Sequence, residues 1–229
     1  MKDTFAPGES KPRDIWRPND SLEMRACRLS DPISRAIFFA TVFVIAVIIA
    51  AVGIAFRPGT NELWMSTNER DEIGEDLPPD YISSVRPGGF YGWPWYYIGN
   101  HQDPRHKGKH PELADKVIVP DVLVQAHSAS LNLCFYTGNQ FPSEYKGDVF
   151  AAFHGSWNRT KRTGYKVVRV PLDKSTGKAR GEYEDFVTGF VTPEGKVWGR
   201  PVGVAVAKDG SLLISEDGDK TIWRVSYSR

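Results

Sequence analysis

The chain has 229 residues, enough for one sizeable core, or for a short segment followed by one domain. Its formal net charge is +1, which lacks the basic excess expected of a nucleic-acid binder or an acidic-lipid reader. Seven Trp, nine Tyr, 12 Phe, 21 Gly and 16 Pro point to short strands, tight turns and aromatic packing. The two cysteines, Cys27 and Cys134, flank an apolar run and have no zinc-site spacing, so both read as unpaired thiols.

Residues 1–35 mix charges with Pro7, Gly8, Pro12, Pro18 and Pro32 and show no sustained apolar period. They are expected to form a disordered or weakly helical tail. Residues 36–56 carry no charged side chain. A run of about 20 apolar residues can cross a bilayer as a helix, and the only polar residue of its core is Thr41. The long segment before it argues against a cleavable signal. Arg17, Arg25, Arg28 and Arg35 precede the run and Arg57 follows it. That asymmetry predicts a membrane anchor with the N-terminus inside and the following domain on the periplasmic or extracytoplasmic side.

Residues 57–229 read as one sheet-rich domain with no stretch of helical period. Strands are predicted around Leu63–Met65, Val117–Val119, Val122–Val124, Val149–Phe153, Tyr165–Val170, Leu212–Ile214 and Ile222–Val225. Three segments repeat a strand–turn–strand pattern: Val52–Phe56 with Leu63–Ser66, Leu131–Tyr136 with Val149–Ala152, and Val202–Val206 with Leu212–Ser215. They recur at roughly 70–80 residues, which suggests propeller blades with insertions rather than a sandwich. Asp209-Gly210 is a short hairpin signal.

Several strings occur in a specific order. Asn68-Glu69-Arg70-Asp71 leads through Asp76 and Pro79-Asp80-Tyr81 to Gly88-Gly89-Phe90-Tyr91-Gly92-Trp93-Pro94. His127-Ser128-Ala129-Ser130 and His154-Gly155-Ser156-Trp157-Asn158-Arg159 follow, then Trp198-Gly199-Arg200-Pro201 and the closing Ile222-Trp223-Arg224-Val225. From about residue 52 to the end the chain resembles the second half of the glucose/sorbosone dehydrogenase family, in particular its L-sorbosone and pyranose dehydrogenase-like branch. The resemblance implies an all-β fold, about three blades of a six-bladed β-propeller, which here follow the apolar run read above as one N-terminal transmembrane helix. It also implies oxidation of an aldose or sugar aldehyde with pyrroloquinoline quinone (PQQ) and Ca²⁺ on the propeller axis.

Carried onto this chain, the resemblance puts Asn68 and Glu69 against PQQ. The main-chain carbonyls of Glu69 and Arg70 go toward Ca²⁺, a hard cation that takes carbonyl oxygens readily. Asp71 and Asp76 are further calcium candidates or simply turn caps. Arg200 falls where the family directs a guanidinium at the cofactor. His154, Trp157 and Arg159 follow a predicted strand, where Trp157 can stack on a ring and Arg159 can pair an anion. His127 is a candidate general base with no partner visible in sequence. Trp93 and Pro94 read as packing, and His101, His106 and His110 as a solvated loop.

Two features depart from the family pattern. The family's base histidine and an Arg-Asn pair belong to the earlier blades, and Ala50-Ala51 stand where that pair would precede the first strand. Val52–Phe56 also cannot be both a helix end and a strand; if it is a strand, the helix keeps about 16 residues, about 24 Å. The alternatives are therefore a catalytically dead, membrane-tethered sugar- or protein-binding fragment, or a subunit completed by a second chain that supplies the missing blades.

Overall fold

The structure is a computed structural model that describes residues 22–28 and 51–228. Apart from short 3-10 turns at Pro104–His106, Pro111–Lys116 and Ser143–Tyr145, the regular structure in these residues is all β. Three four-stranded sheets account for most of it, each built from antiparallel neighbours. Sheet one runs β2 (Ala51–Phe56), β3 (Leu63–Thr67), β4 (Asp80–Ser84) and β7 (Val122–Val124). A two-stranded ribbon, β5 (Tyr96–Tyr97) and β6 (His101–Gln102), is inserted between β4 and β7. Sheet two runs β8 (Ser130–Phe135), β9 (Val149–Phe153), β10 (Lys166–Val170) and β11 (Glu184–Val187). Sheet three runs β12 (Pro201–Val206), β13 (Leu212–Glu216), β14 (Thr221–Tyr227) and, as its last strand, β1 (Leu22–Arg28).

The three repeats seen in the sequence are the first two strands of each sheet. β8 lies beside both β2 and β12, so these first strands are the inner ones. Gly53 shows how closely β2 approaches β8: a Cβ there would run into the Leu131 carbonyl oxygen.

One core lies between sheets one and two, around Trp64, Ile82, Leu133, Phe135 and Phe153. A second lies between sheets two and three, around Phe150, Phe186, Phe190, Ile214 and Trp223. Burying each such side chain contributes about 1.5–3 kcal/mol. Sheet two is covered on both faces, so Val149–Phe153 is apolar throughout and buried at every position. β13, covered on one face, alternates buried Leu212 and Ile214 with half-buried Leu213 and Ser215.

Several expectations are revised. Leu22–Arg28 lies in the segment expected to be a tail, yet pairs as a strand with β14 from Leu22↔Tyr227 to Arg28↔Thr221. The pairing covers an edge that β14 would otherwise present with unpaired backbone groups. Ala51–Phe56 is a strand bonded to β3, so a helix cannot extend through it. Residues 36–50 lie outside the described residues, and among the described ones no helix is long and apolar enough to cross a membrane. Val117–Val119 is not a strand: Val117 makes one parallel bridge to Phe90, and Val119 is half exposed.

Candidate functional site

The strand directions gather the candidate residues at one end of the sheets. β3, β9 and β13 stop at Thr67, Phe153 and Glu216, and the next strands start at Asp80, Lys166 and Thr221. The intervening loops, 68–79, 154–165 and 217–220, therefore share one end with the segments that enter β8 and β12. Strand register makes the first residues of these loops equivalent. β2–β3 pairs Ala55 with Trp64, β8–β9 pairs Cys134 with Phe150, and β12–β13 pairs Ala205 with Leu213. Four residues beyond Trp64, Phe150 and Leu213 stand Asn68, His154 and Asp217.

Loop 68–79 is clamped from several sides. Buried Asp80 accepts from Glu69 N at 2.9 Å and from Ser130 N at 3.4 Å, and burial pushes its carboxyl up to about 7. Glu69 is also buried, and desolvation raises its carboxyl. The Arg70 guanidinium donates to Asp71 O at 2.6 Å and pairs with buried Asp103. The Asp71 carboxylate takes His127 Nδ1 at 3.0 Å and the Asn158 amide at 2.8 Å. Arg159 donates to Glu75 O and to Asp76 at 2.9 Å. The Thr160 backbone donates to exposed Glu75 at 2.9 Å, and its hydroxyl and backbone bonds lower that carboxyl.

His127 is buried, and both ring nitrogens are engaged. Nε2 stands 2.7 Å from Gly74 O, an acceptor only, so Nε2 carries a proton and donates it. Nδ1 faces the Asp71 carboxylate. In this arrangement His127 ties loop 68–79 to the start of β8 and presents no free lone pair to a substrate. The Asn158 amide is likewise committed to Asp71.

A second cluster spans sheets two and three. His154 Nε2 lies 3.1 Å from Asp217 Oδ1, and Arg200 Nε lies 2.9 Å from the same oxygen. Burial opposes ionisation of Asp217, but the hydrogen bond and charge of His154 and the charge of Arg200 outweigh it and hold the carboxyl below the usual aspartate range. Facing a carboxylate, Nε2 carries a proton; Nδ1, with no partner among the described residues, is an acceptor in the neutral ring and a second donor in the imidazolium whose charge acts on Asp217. The His154 and Arg200 side chains are 25% and 44% exposed, so both remain reachable, unlike His127 at 3%. Trp157, 78% exposed, projects from the same loop as Asn158.

Sequence reasoning missed Asp217, Asp103 and the carboxylate role of Asp80. The repeat alignment held the signal for Asp217, because it occupies the position of His154 in the next sheet. Nothing in the sequence marks Asp103, whose partner Arg70 is distant along the chain. Trp93, expected in packing, is half exposed, and Tyr96 fills the interior instead. His106 and His110 lie against the Trp95 ring, with centroids 4.7 and 4.3 Å away.

Among the described residues no group of three or more His, Cys, Asp or Glu is arranged to hold a metal ion. The fit to an anionic cofactor is better. Arg200 offers an accessible guanidinium, and Arg159 Nε is buried without a partner. Arg70 is committed to Asp103 and Asp71.

Residues 99–228 match the family model described as TrAA12-like. The chain is 35% identical over 181 residues to an uncharacterized protein of Borreliella burgdorferi, covering 78% of this chain and 47% of that one. It is 31% identical over 116 residues to a pyrroloquinoline quinone-dependent pyranose dehydrogenase of Coprinopsis cinerea, covering 44% of this chain and 15% of that one. The chain thus spans half or less of the length of these relatives. Among solved structures, the Trichoderma reesei AA12 enzyme in its calcium structure superposes with a TM-score of 0.63 at 20% identity, over 78% of this chain and 52% of that one. The PQQ domain of the Coprinopsis cinerea pyranose dehydrogenase gives 0.56 at 23% identity, over 77% and 53%. At these identities the structural likeness shows the fold.

Proposed function

We propose that this chain, which belongs to the TrAA12-like family, supplies three blades of a six-bladed propeller and one side of the axial site of a PQQ-dependent sugar dehydrogenase. The observation that carries the reading is the convergence of His154, Asp217 and accessible Arg200 at the end where the inner strands begin. Arg200 would pair with a cofactor carboxylate, a planar anion that a guanidinium fork matches. Asn68 would line the same side, and exposed Trp157 would stack on a sugar or quinone face. Calcium would take the main-chain carbonyls of Glu69 and Arg70, with Asp71 and Asp76 nearby. PQQ, when bound, supplies the acceptor for a hydride from the sugar carbon. The chain's own contribution to proton transfer would be His154, whose Nδ1 can receive a hydroxyl proton while Asp217 steadies the ring through Nε2. Any membrane association through the apolar run at 36–50 would be from one side, because β1 before the run pairs with β14 after it.

The test is titration of the full chain with PQQ and Ca²⁺, followed by aldose-dependent dye reduction. Saturable difference spectra that weaken about tenfold in Arg200→Ala are expected, about 1.4 kcal/mol. Absence of any cofactor spectrum would sink the reading for this chain. The engaged state of His127 favours a second reading, a catalytically dead fragment that binds sugar or protein; it predicts retention on a glycan resin, lost in Trp157→Ala, without turnover.

A further inference from the structure

The two end faces of the three-sheet stack are complementary to each other, and the chain itself displays their mode of contact twice. Residues flanking the equivalent trio Ala55, Cys134 and Ala205 point to the opposite sheet face. On sheet two these are Leu133 and Phe135, buried at 2% and 5% exposure against sheet one. On sheet three they are Val204 and Val206, packed against sheet two. On sheet one they are Ile54 and Phe56, which are 64% and 65% exposed.

The receiving side follows the same rule. Trp64 and Phe150, quasi-equivalent to one another, are 1% and 0% exposed where they take up the next sheet. Their counterpart on sheet three, Leu213, is only half-buried, and its neighbour Ala205 is exposed. One end of the stack therefore presents a projecting apolar pair, and the other presents a small residue beside a large apolar one, as the internal interfaces do. The open face of sheet one is internal to the sequence. Only residues 29–50 separate β1, already bonded to sheet three, from β2, whereas sheet two alone runs from Ser130 to Val187.

We propose that a second copy of this chain fills both faces, with sheet one of each copy packed on sheet three of the other, so that two copies close a ring of six sheets. A head-to-tail contact repeated twice closes where the rotation permits, and the internal contacts set the rotation. The inference builds on the functional reading above, whose axial site is incomplete in one copy. Each copy would bring its own His154, Asp217 and Arg200 to the shared axis.

The experiment uses the full chain in detergent. Light scattering at micromolar concentration should return twice the mass of one chain, and Phe56→Asp should weaken the dimer about a hundredfold or more. A double variant, Ile54→Cys with Leu213→Cys, should be joined between chains by a short bis-maleimide, and this arm decides the matter if Phe56→Asp does not fold. The proposal is overturned by a monomer at about 100 μM, well above the range of stable dimers. It is also overturned by a dimer that neither Phe56→Asp weakens nor the cross-linker captures, as when residues 36–50 cover the face, or by a stoichiometric complex with an unlike chain. A cross-linked dimer that binds no PQQ would keep the ring and overturn the cofactor site. A PQQ-binding monomer would do the reverse.

Discussion

His127 and His154 stand at the same end of the molecule, each about 3 Å from an aspartate carboxylate, and the resemblance in geometry ends there. His127 is buried, its second nitrogen donates to Gly74 O, and its aspartate also takes the Asn158 amide. His154 is partly open, keeps Nδ1 free among the described residues, and shares its aspartate with accessible Arg200. A histidine–aspartate pair alone does not distinguish a structural tie from a reactive group. The second ring nitrogen and access to solvent do.

The largest effect should come from the buried side of this comparison. Burial raises the Asp80 carboxyl from 3.8 to about 7, so between those values the folded state holds more protons than the unfolded one. Stability should then fall as pH rises from about 4 to about 7, by up to about 4 kcal/mol if the whole shift is expressed. Urea denaturation across that window checks it, and a flat profile would remove Asp80 from the account. Asp217 has the opposite sign: its lowered carboxyl contributes stability above the unfolded pKa that is lost as pH falls through the folded one, below about 4.

Next in size, His127→Ala should cost about 1–2 kcal/mol, because it empties a buried site and unties loop 68–79 from β8, while the Gly74 O and Asp71 carboxylate it leaves are open to water. Hydrogen exchange should show protection lost first in loop 68–79; equal loss throughout would mean that His127 is not a local tie. On the accessible side, Asp217→Asn should change stability at neutral pH by only about 1 kcal/mol, since its partners are solvent-exposed in part. The same variant should shift the pH dependence of any turnover, a readout that a purely structural Asp217 would leave unmoved. The smallest effect belongs to Trp157→Ala: at 78% exposure it should alter stability by no more than about 0.5 kcal/mol, while weakening retention on immobilised sugar.

Much of the fold was legible in advance because alternation and turn chemistry are local. Leu63–Met65, Val149–Phe153 and Leu212–Ile214 all fall in strands, and the repeat identified the three inner pairs. β4 and β11 were missed because Asp80–Ser84 and Glu184–Val187 are too short and polar to carry a periodic signal. β1 was missed although Leu22, Met24 and Ala26 alternate with Glu23 and Arg25, because its partner β14 lies at the far end of the sequence. At the candidate site, the sequence singles out Arg200 and His154 as individual residues. Their common partner Asp217 required a repeat alignment carried four residues past the strand.

The sequence by itself determined that the region from about residue 52 onward is all β with a threefold internal repeat, because apolar alternation and glycine turns act over a few residues. Tertiary structure decided which histidine is spent and which is left with a ring nitrogen free among the described residues. Burial and the second hydrogen bond of an imidazole depend on residues 53 to 63 positions away, and no local pattern encodes them.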